Sequence, residues 1–98
     1  MNIHSKEFLY GLSEFFKIFA DPTRLRILEV LINKPLCVND ISEKLNISQS
    51  AISHQLKYLR TSNLVKTEKV GKNVFYNISD NHIKIILEYG IEHLKEVI

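Results

Sequence analysis

Residues 37–63, from Cys37 to Asn63, read CVNDISEKLNISQSAISHQLKYLRTSN. Ile41 and Leu45 stand one helical turn apart, and Ile52, Leu56 and Leu59 repeat at helical spacing. The stretch therefore divides into two short helices, 38–45 and 48–62, each with one apolar side. Asn46 and Ile47 form a tight turn between them, and Ser48 is placed to cap the second helix. The outward side of that second helix carries Ser50, Ser53, His54, Lys57 and Thr61, with Gln49 in its exposed first turn. Serine is a mediocre helix former, and a face that served only solvation would more often carry Glu, Lys or Ala. Hydroxyl and amide side chains beside a cation suit a helix that reaches base edges in a major groove and holds phosphate.

The flanking chain supports the same reading. Leu64 to Val70 and Asn73 to Ser79 are strand-like runs rich in Val, Phe and Tyr, hinged at Gly71-Lys72, so residues 64–79 predict a hairpin. Lys69 and Lys72 near its tip are within reach of a neighbouring phosphate. Helix, turn, helix, basic hairpin is the order of a winged helix-turn-helix. The candidate DNA contacts are Ser48, Gln49, Ser50, Ser53, His54, Lys57, Lys69 and Lys72, and the implied partner is double-stranded DNA.

Upstream, Phe8, Leu12, Phe15, Phe16 and Phe19 recur at helical spacing and predict a first helix over 5–20, its aromatic stripe serving the core or a dimer contact. Asp21 is a natural N-cap and Pro22 suits a first helical position, so a second helix covers 22–33, ended by Lys34 and Pro35. Leu25, Leu28, Leu31 and Ile32 are expected to face inward from it. The whole, 1–98, reads as one domain, mainly α with a β-hairpin wing.

A last helix over 80–97 holds a different chemistry. Ile83, Ile86, Leu87, Leu94 and Val97 form an apolar stripe, and Lys84, Glu88, Glu92 and Lys95 an opposite solvated strip. Between them His82, His93 and Glu96 fall within roughly 60° of each other, with Asp80 just before the helix. His82 and His93 lie roughly 16 Å apart along the axis, whereas the nitrogens binding one zinc ion lie within about 2.1 Å of it. One helix cannot close such a site. Two antiparallel copies bring Asp80 and His82 of one chain beside His93 and Glu96 of the other, and two-fold symmetry makes two sites. Gly90, near the crossing point, permits close approach. This predicts a homodimer with a closed N/O shell suited to Zn(II), with Co(II) and Ni(II) as competitors.

Composition narrows the classes. Net charge is only +2, but Ser48 to Ser79 carries five basic residues against one acid, while the segment from Asp80 onward is acidic, net −2. No apolar run reaches the about 18 residues of a membrane span, and MNIHSKEF lacks the features of a signal peptide, so a cytoplasmic location is expected. The single cysteine, Cys37, excludes an intrachain disulfide and is expected to be a small buried hydrophobe. Neither a nucleophile paired with a base nor a Gly-rich phosphate loop is present, and four side-chain ligands leave no open metal position, so an enzyme is not expected.

The runs FADPTRLRILEVL, PLCVNDISEKLNISQSAISHQLKYLR and LVKTEKVGKNVFYNIS, with the final DNH and HLKE, resemble the ArsR/SmtB family of winged-helix metal-sensing repressors over nearly the whole chain. The resemblance implies a dimer that binds an inverted-repeat operator when metal-free and releases it when metal binds. Asp80, His82, His93 and Glu96 match the ligand spacing of zinc-sensing members that use the C-terminal helix. Gln49, Ser50, Ser53 and His54 match DNA-contacting positions. The chain departs from the arsenic, cadmium and lead sensors, which place two or more cysteines where CVND offers Cys37, with Asp40 nearby. The alternative function is a regulator of the same fold with a non-metal effector and vestigial ligands.

Overall fold

In the computed structural model, which describes residues 3–98, seven elements follow one another. They are α1 (Lys6–Ile18), α2 (Pro22–Asn33), α3 (Val38–Leu45), α4 (Gln49–Thr61), β1 (Val65–Val70), β2 (Asn73–Ile78) and α5 (Asn81–Val97). The helices begin where short polar side chains can satisfy free amides. Ser5, Asp21, Ser48 and Asp80 each accept a backbone N–H from the first turn of the helix that follows. Asn46 ends α3 in the left-handed region, at φ 55°, a conformation asparagine tolerates. The Ser42 hydroxyl donates to the Ile47 carbonyl and braces the turn from α3 into α4.

The core is the inner side of α2, α3 and α4. Ile27, Leu28, Ile41, Ile52, Leu56 and Leu59 have no exposed surface, and Leu31 almost none. Burying such side chains is worth about 1.5–3 kcal/mol each and sets the angle at which α4 stands on α3. The hairpin pairs Val65 with Ile78 and Val70 with Asn73, leaving Gly71 and Lys72 as the turn. Gly71 has φ +62°, which a glycine adopts without strain. Leu36 exchanges two backbone hydrogen bonds with Tyr76, at 3.0 and 2.8 Å, docking β2 on the segment between α2 and α3. The architecture is a winged helix-turn-helix, with α3 and α4 as its helix pair and β1–β2 as the wing.

Two expectations need correction, at Leu25 and Cys37. Leu25 does not face inward: it is 39% exposed, and Ile27 takes the buried place. The buried arc of α2 is centred among Ile27, Leu28 and Leu31, from which Leu25 is turned by about 110°. The aromatic stripe of α1, expected in the core or a dimer contact, is divided: Phe15 and Phe19 pack against the core, while Phe8, Leu12 and Phe16 are exposed on this chain. Cys37 is half-buried rather than buried, because it sits at the surface-facing N-cap of α3, where its thiol donates to Oδ2 of Asp40 at 3.1 Å. No helix among the described residues is long and apolar enough to cross a membrane.

Candidate nucleic-acid and metal-binding surfaces

Because Ile52, Leu56 and Leu59 are locked into the core, the rest of α4 has one orientation available to it. Ser48, Gln49, Ser50, Ser53, His54 and Lys57 are all exposed, along one side of the helix and its first turn. Three of them are already engaged. The Ser48 hydroxyl accepts from the Ala51 amide at 3.2 Å as the cap and shares a hydrogen bond of 3.4 Å with the Ser50 hydroxyl, and Gln49 donates through Nε2 to Oδ1 of Asn39 on α3 at 2.9 Å. Thr61 turns its hydroxyl back onto the Lys57 carbonyl at 2.8 Å. Lys69 and Lys72 are exposed at the far end of the hairpin, which carries no buried side chain there. The surface presents amide and hydroxyl groups on the helix and cations beside it, a combination that suits base edges and phosphates respectively.

The second surface lies on α5. Asp80 accepts the amides of His82 and Ile83 through Oδ1, at 2.9 and 3.2 Å, and Nδ1 of His82 stands 3.4 Å from the same oxygen. The capping bonds use Oδ1 and leave Oδ2 outside them. Both side chains are open to solvent, 54% exposed for Asp80 and 89% for His82. His93 and Glu96 are exposed some three turns further along the helix, so the fold brings Asp80 to His82 but does not bring that pair to the other two. Among the described residues no three His, Cys, Asp or Glu side chains lie together. The donor set of two imidazoles and two carboxylates, without a thiolate, fits a borderline ion such as Zn(II), with Co(II) and Ni(II) accepted by the same atoms.

Between α1, α2 and α5 runs an apolar groove of about 440 Å³, lined by Phe16, Phe19, Leu25, Leu87, Gly90 and Leu94 among others. Ile83 and Leu87 are buried against the body of the chain, whereas Leu94 and Val97 of the expected stripe are exposed. A Cβ built on Gly90 meets nothing within 4 Å, so no neighbour in the chain itself requires a glycine there.

Sequence reasoning missed Asn39, the partner of Gln49, and missed the contacts of Arg24 with Gln55 and Tyr58 on α4. No periodicity signals either, because each joins elements whose approach is decided by the core.

Residues 21–67 match the family described as "Bacterial regulatory protein, arsR family". The chain is 44% identical over 85 residues to the transcriptional repressor SmtB homolog of Synechocystis sp., covering 87% of this chain and 64% of that protein. It is 42% identical over 74 residues to the HTH-type transcriptional regulator NmtR of Mycobacterium tuberculosis, covering 76% of this chain and 62% of that protein. A solution structure of apo-NmtR matches at a TM-score of 0.85 and 32% identity, covering 98% of this chain and 81% of the other. The cadmium resistance transcriptional regulatory protein CadC homolog of Staphylococcus aureus is 35% identical over 86 residues, 87% of this chain and 71% of that protein. The chain thus spans less than two thirds of the length of the first two relatives.

Proposed function

The chain belongs to the arsR family of bacterial regulatory proteins, and from that premise we propose that it is a metal-responsive transcriptional repressor acting as a homodimer on operator DNA. Its relatives include a transcriptional repressor and a cadmium-resistance regulatory protein, which supports repression and metal response as its general activity. Ser48, Gln49, Ser50, Ser53, His54 and Lys57 contact DNA from α4, and Lys69 and Lys72 contact phosphate from the wing. A two-fold dimer fits an inverted-repeat operator, with half-sites about 34 Å apart presented to two copies of α4.

The regulatory ligand is Zn(II), or Co(II) or Ni(II) in its place. Asp80 and His82 of one protomer hold it together with His93 and Glu96 of the partner subunit. The observation that carries this reading is the division of the four donors between the two ends of α5, beside an apolar stripe whose C-terminal part, Leu94 and Val97, the chain leaves exposed. An antiparallel second copy of α5 covers that stripe, and Gly90 gives it room. Bound there, the ion supplies a cross-link between the two helices. By linkage, a ligand that weakens operator binding must itself bind less tightly to the DNA complex.

The test is fluorescence anisotropy on an operator duplex, adding zinc, cobalt and nickel in turn to the wild type and to His93→Ala. The expected result is release from the wild type near one equivalent of metal per site, with DNA binding kept and metal response lost in the variant. An unchanged operator complex at that stoichiometry, with every metal, overturns the metal assignment and leaves a regulator with another effector.

A further inference from the structure

Arg24, in the first turn of α2, joins its own helix to two others at once. Its Nη1 donates to the Ile18 carbonyl at the end of α1, at 3.3 Å, and its Nε donates to Oε1 of Gln55 on α4, also at 3.3 Å. The guanidinium lies over the Tyr58 ring, 4.5 Å from its centroid, one turn further along α4. Asp21 stands behind it, accepting the Arg24 amide at 3.0 Å and lying 3.9 Å from Nε. The side chain is only 23% exposed, so these contacts are made largely out of water.

Each contact has a physical reason. The Ile18 carbonyl belongs to the last turn of α1, where carbonyls lack helical partners and a cation is favoured. Gln55 and Tyr58 are three residues apart and share a strip of α4, which offers one acceptor and one aromatic face. Only a planar fork of donors can serve a carbonyl, an amide oxygen and a ring together; the point charge of a lysine cannot.

The surroundings give the contact its consequence. Within the chain α1 buries only Ile18, with Phe15 and Phe19 packed beside it, so its seating on the body is decided at its C-terminal end. Phe16 and Phe19, at the C-terminal end of α1, line the open groove between α1, α2 and α5, and the strip holding Gln55 and Tyr58 belongs to the helix whose exposed side carries Ser50, Ser53 and Lys57. We propose that Arg24 is a positioning residue that ties the end of α1 to α4, so that the packing of two copies fixes the setting of the DNA-reading helix. This rests on the regulatory reading given above.

The test compares the wild type, Arg24→Lys and Gln55→Leu as full chains. Two probes are used: a duplex selected by the wild type from a random pool, and a scrambled duplex of equal composition. For Arg24→Lys, affinity for the selected duplex is expected to fall about tenfold, with binding to the scrambled one within about twofold. The salt slope stays at the wild-type value, because no phosphate contact has been lost. The factor by which zinc weakens binding to the selected duplex shrinks as well. Equal loss on both duplexes with a shallower salt slope makes Arg24 a phosphate contact and overturns the proposal, as does unchanged binding and zinc response. Should Arg24→Lys fail to fold, Gln55→Leu cuts the α4 end of the same link and must reproduce the specific loss. A wild type without preference for any selected duplex sinks the regulatory reading itself, and this inference with it; a wild type that binds beside unaffected variants sinks this inference alone.

Discussion

Gln49 and Asn39 are joined side chain to side chain across the helix pair, Nε2 of the first donating to Oδ1 of the second at 2.9 Å. Asn39 in turn lies 3.4 Å from Oε1 of Glu43 through its own amide nitrogen, so its orientation is held from α3. A glutamine amide that gives one N–H to a neighbour keeps its oxygen and its other N–H, the pair that reads adenine. If Gln49 contacts DNA as proposed, this bond sets it before DNA arrives, and the entropic cost of ordering it is reduced.

Removing Asn39 therefore costs selectivity more than grip. In Asn39→Ala the base preference at the position the proposal assigns to Gln49, adenine by the chemistry of its amide, is expected to drop by about tenfold, the low end of what one bidentate base contact contributes. Total affinity changes little. Competition binding with all four bases at each half-site position measures this, and an unaltered base preference rules out the orienting role.

Asp80 serves α5 as a cap and the proposed site as a ligand, and substitution separates the two. Asparagine caps a helix as well as aspartate, so Asp80→Asn leaves thermal stability within about 0.5 kcal/mol of the wild type. It replaces the charged carboxylate with a neutral amide, a poorer ligand for zinc, and metal affinity falls by at least about tenfold. Asp80→Ala loses the cap too, at about 1 kcal/mol. Calorimetry of unfolding beside zinc titration reads both effects. Equal zinc affinity in wild type and Asp80→Asn removes Asp80 from the ligand set.

At Gly90 the chain and the proposed dimer make opposite demands. Nothing within 4 Å opposes a side chain there, and alanine in place of glycine inside a helix stabilises by about 1 kcal/mol. A bulkier residue extends into the groove that Phe16, Phe19 and Leu25 of the same chain also line, the space beside which the proposed second α5 would pack. Gly90→Leu is expected to keep its helical content while shifting sedimentation toward monomer and losing operator affinity; an intact dimer would show that α5 does not cross its partner at this point.

The contrast between Gly90 and Ile52 marks what the amino-acid order disclosed. Ile52, Leu56 and Leu59 were legible as core because the helices they face adjoin them in sequence, joined by a turn whose residues, Asn46 and Ser48, announce it. The capping positions and the Gly71-Lys72 hinge were legible for the same local reason. Spacing also identified the apolar sides of α1 and α5, but periodicity reports that a face is apolar and not which chain covers it. Phe8, Phe16 and Leu94 are exposed for that reason. Leu25 and Ile27 exchanged places because the three elements around α2 decide where its buried arc is centred. The links from Arg24 to Gln55 and from Asn39 to Gln49 lay beyond the sequence altogether, since they depend on helix crossing angles.

The basic residues make a prediction that can be counted. Lys57 on α4 and Lys69 and Lys72 on the wing are exposed, and none has a salt-bridge partner among the described residues. Each is free to displace a counterion from DNA, and each phosphate neutralised contributes about 0.9 to the slope of log affinity against log salt. Replacing one of them by alanine should lower that slope by about 1 per protomer engaged, and weaken selected and scrambled duplexes alike. Ser53→Ala should do the reverse, reducing discrimination while leaving the slope alone, because a hydroxyl releases no ion. Anisotropy titrations across a range of potassium chloride concentrations check both. A wing lysine whose loss leaves the slope unchanged does not touch phosphate, and the hairpin then lies away from the duplex.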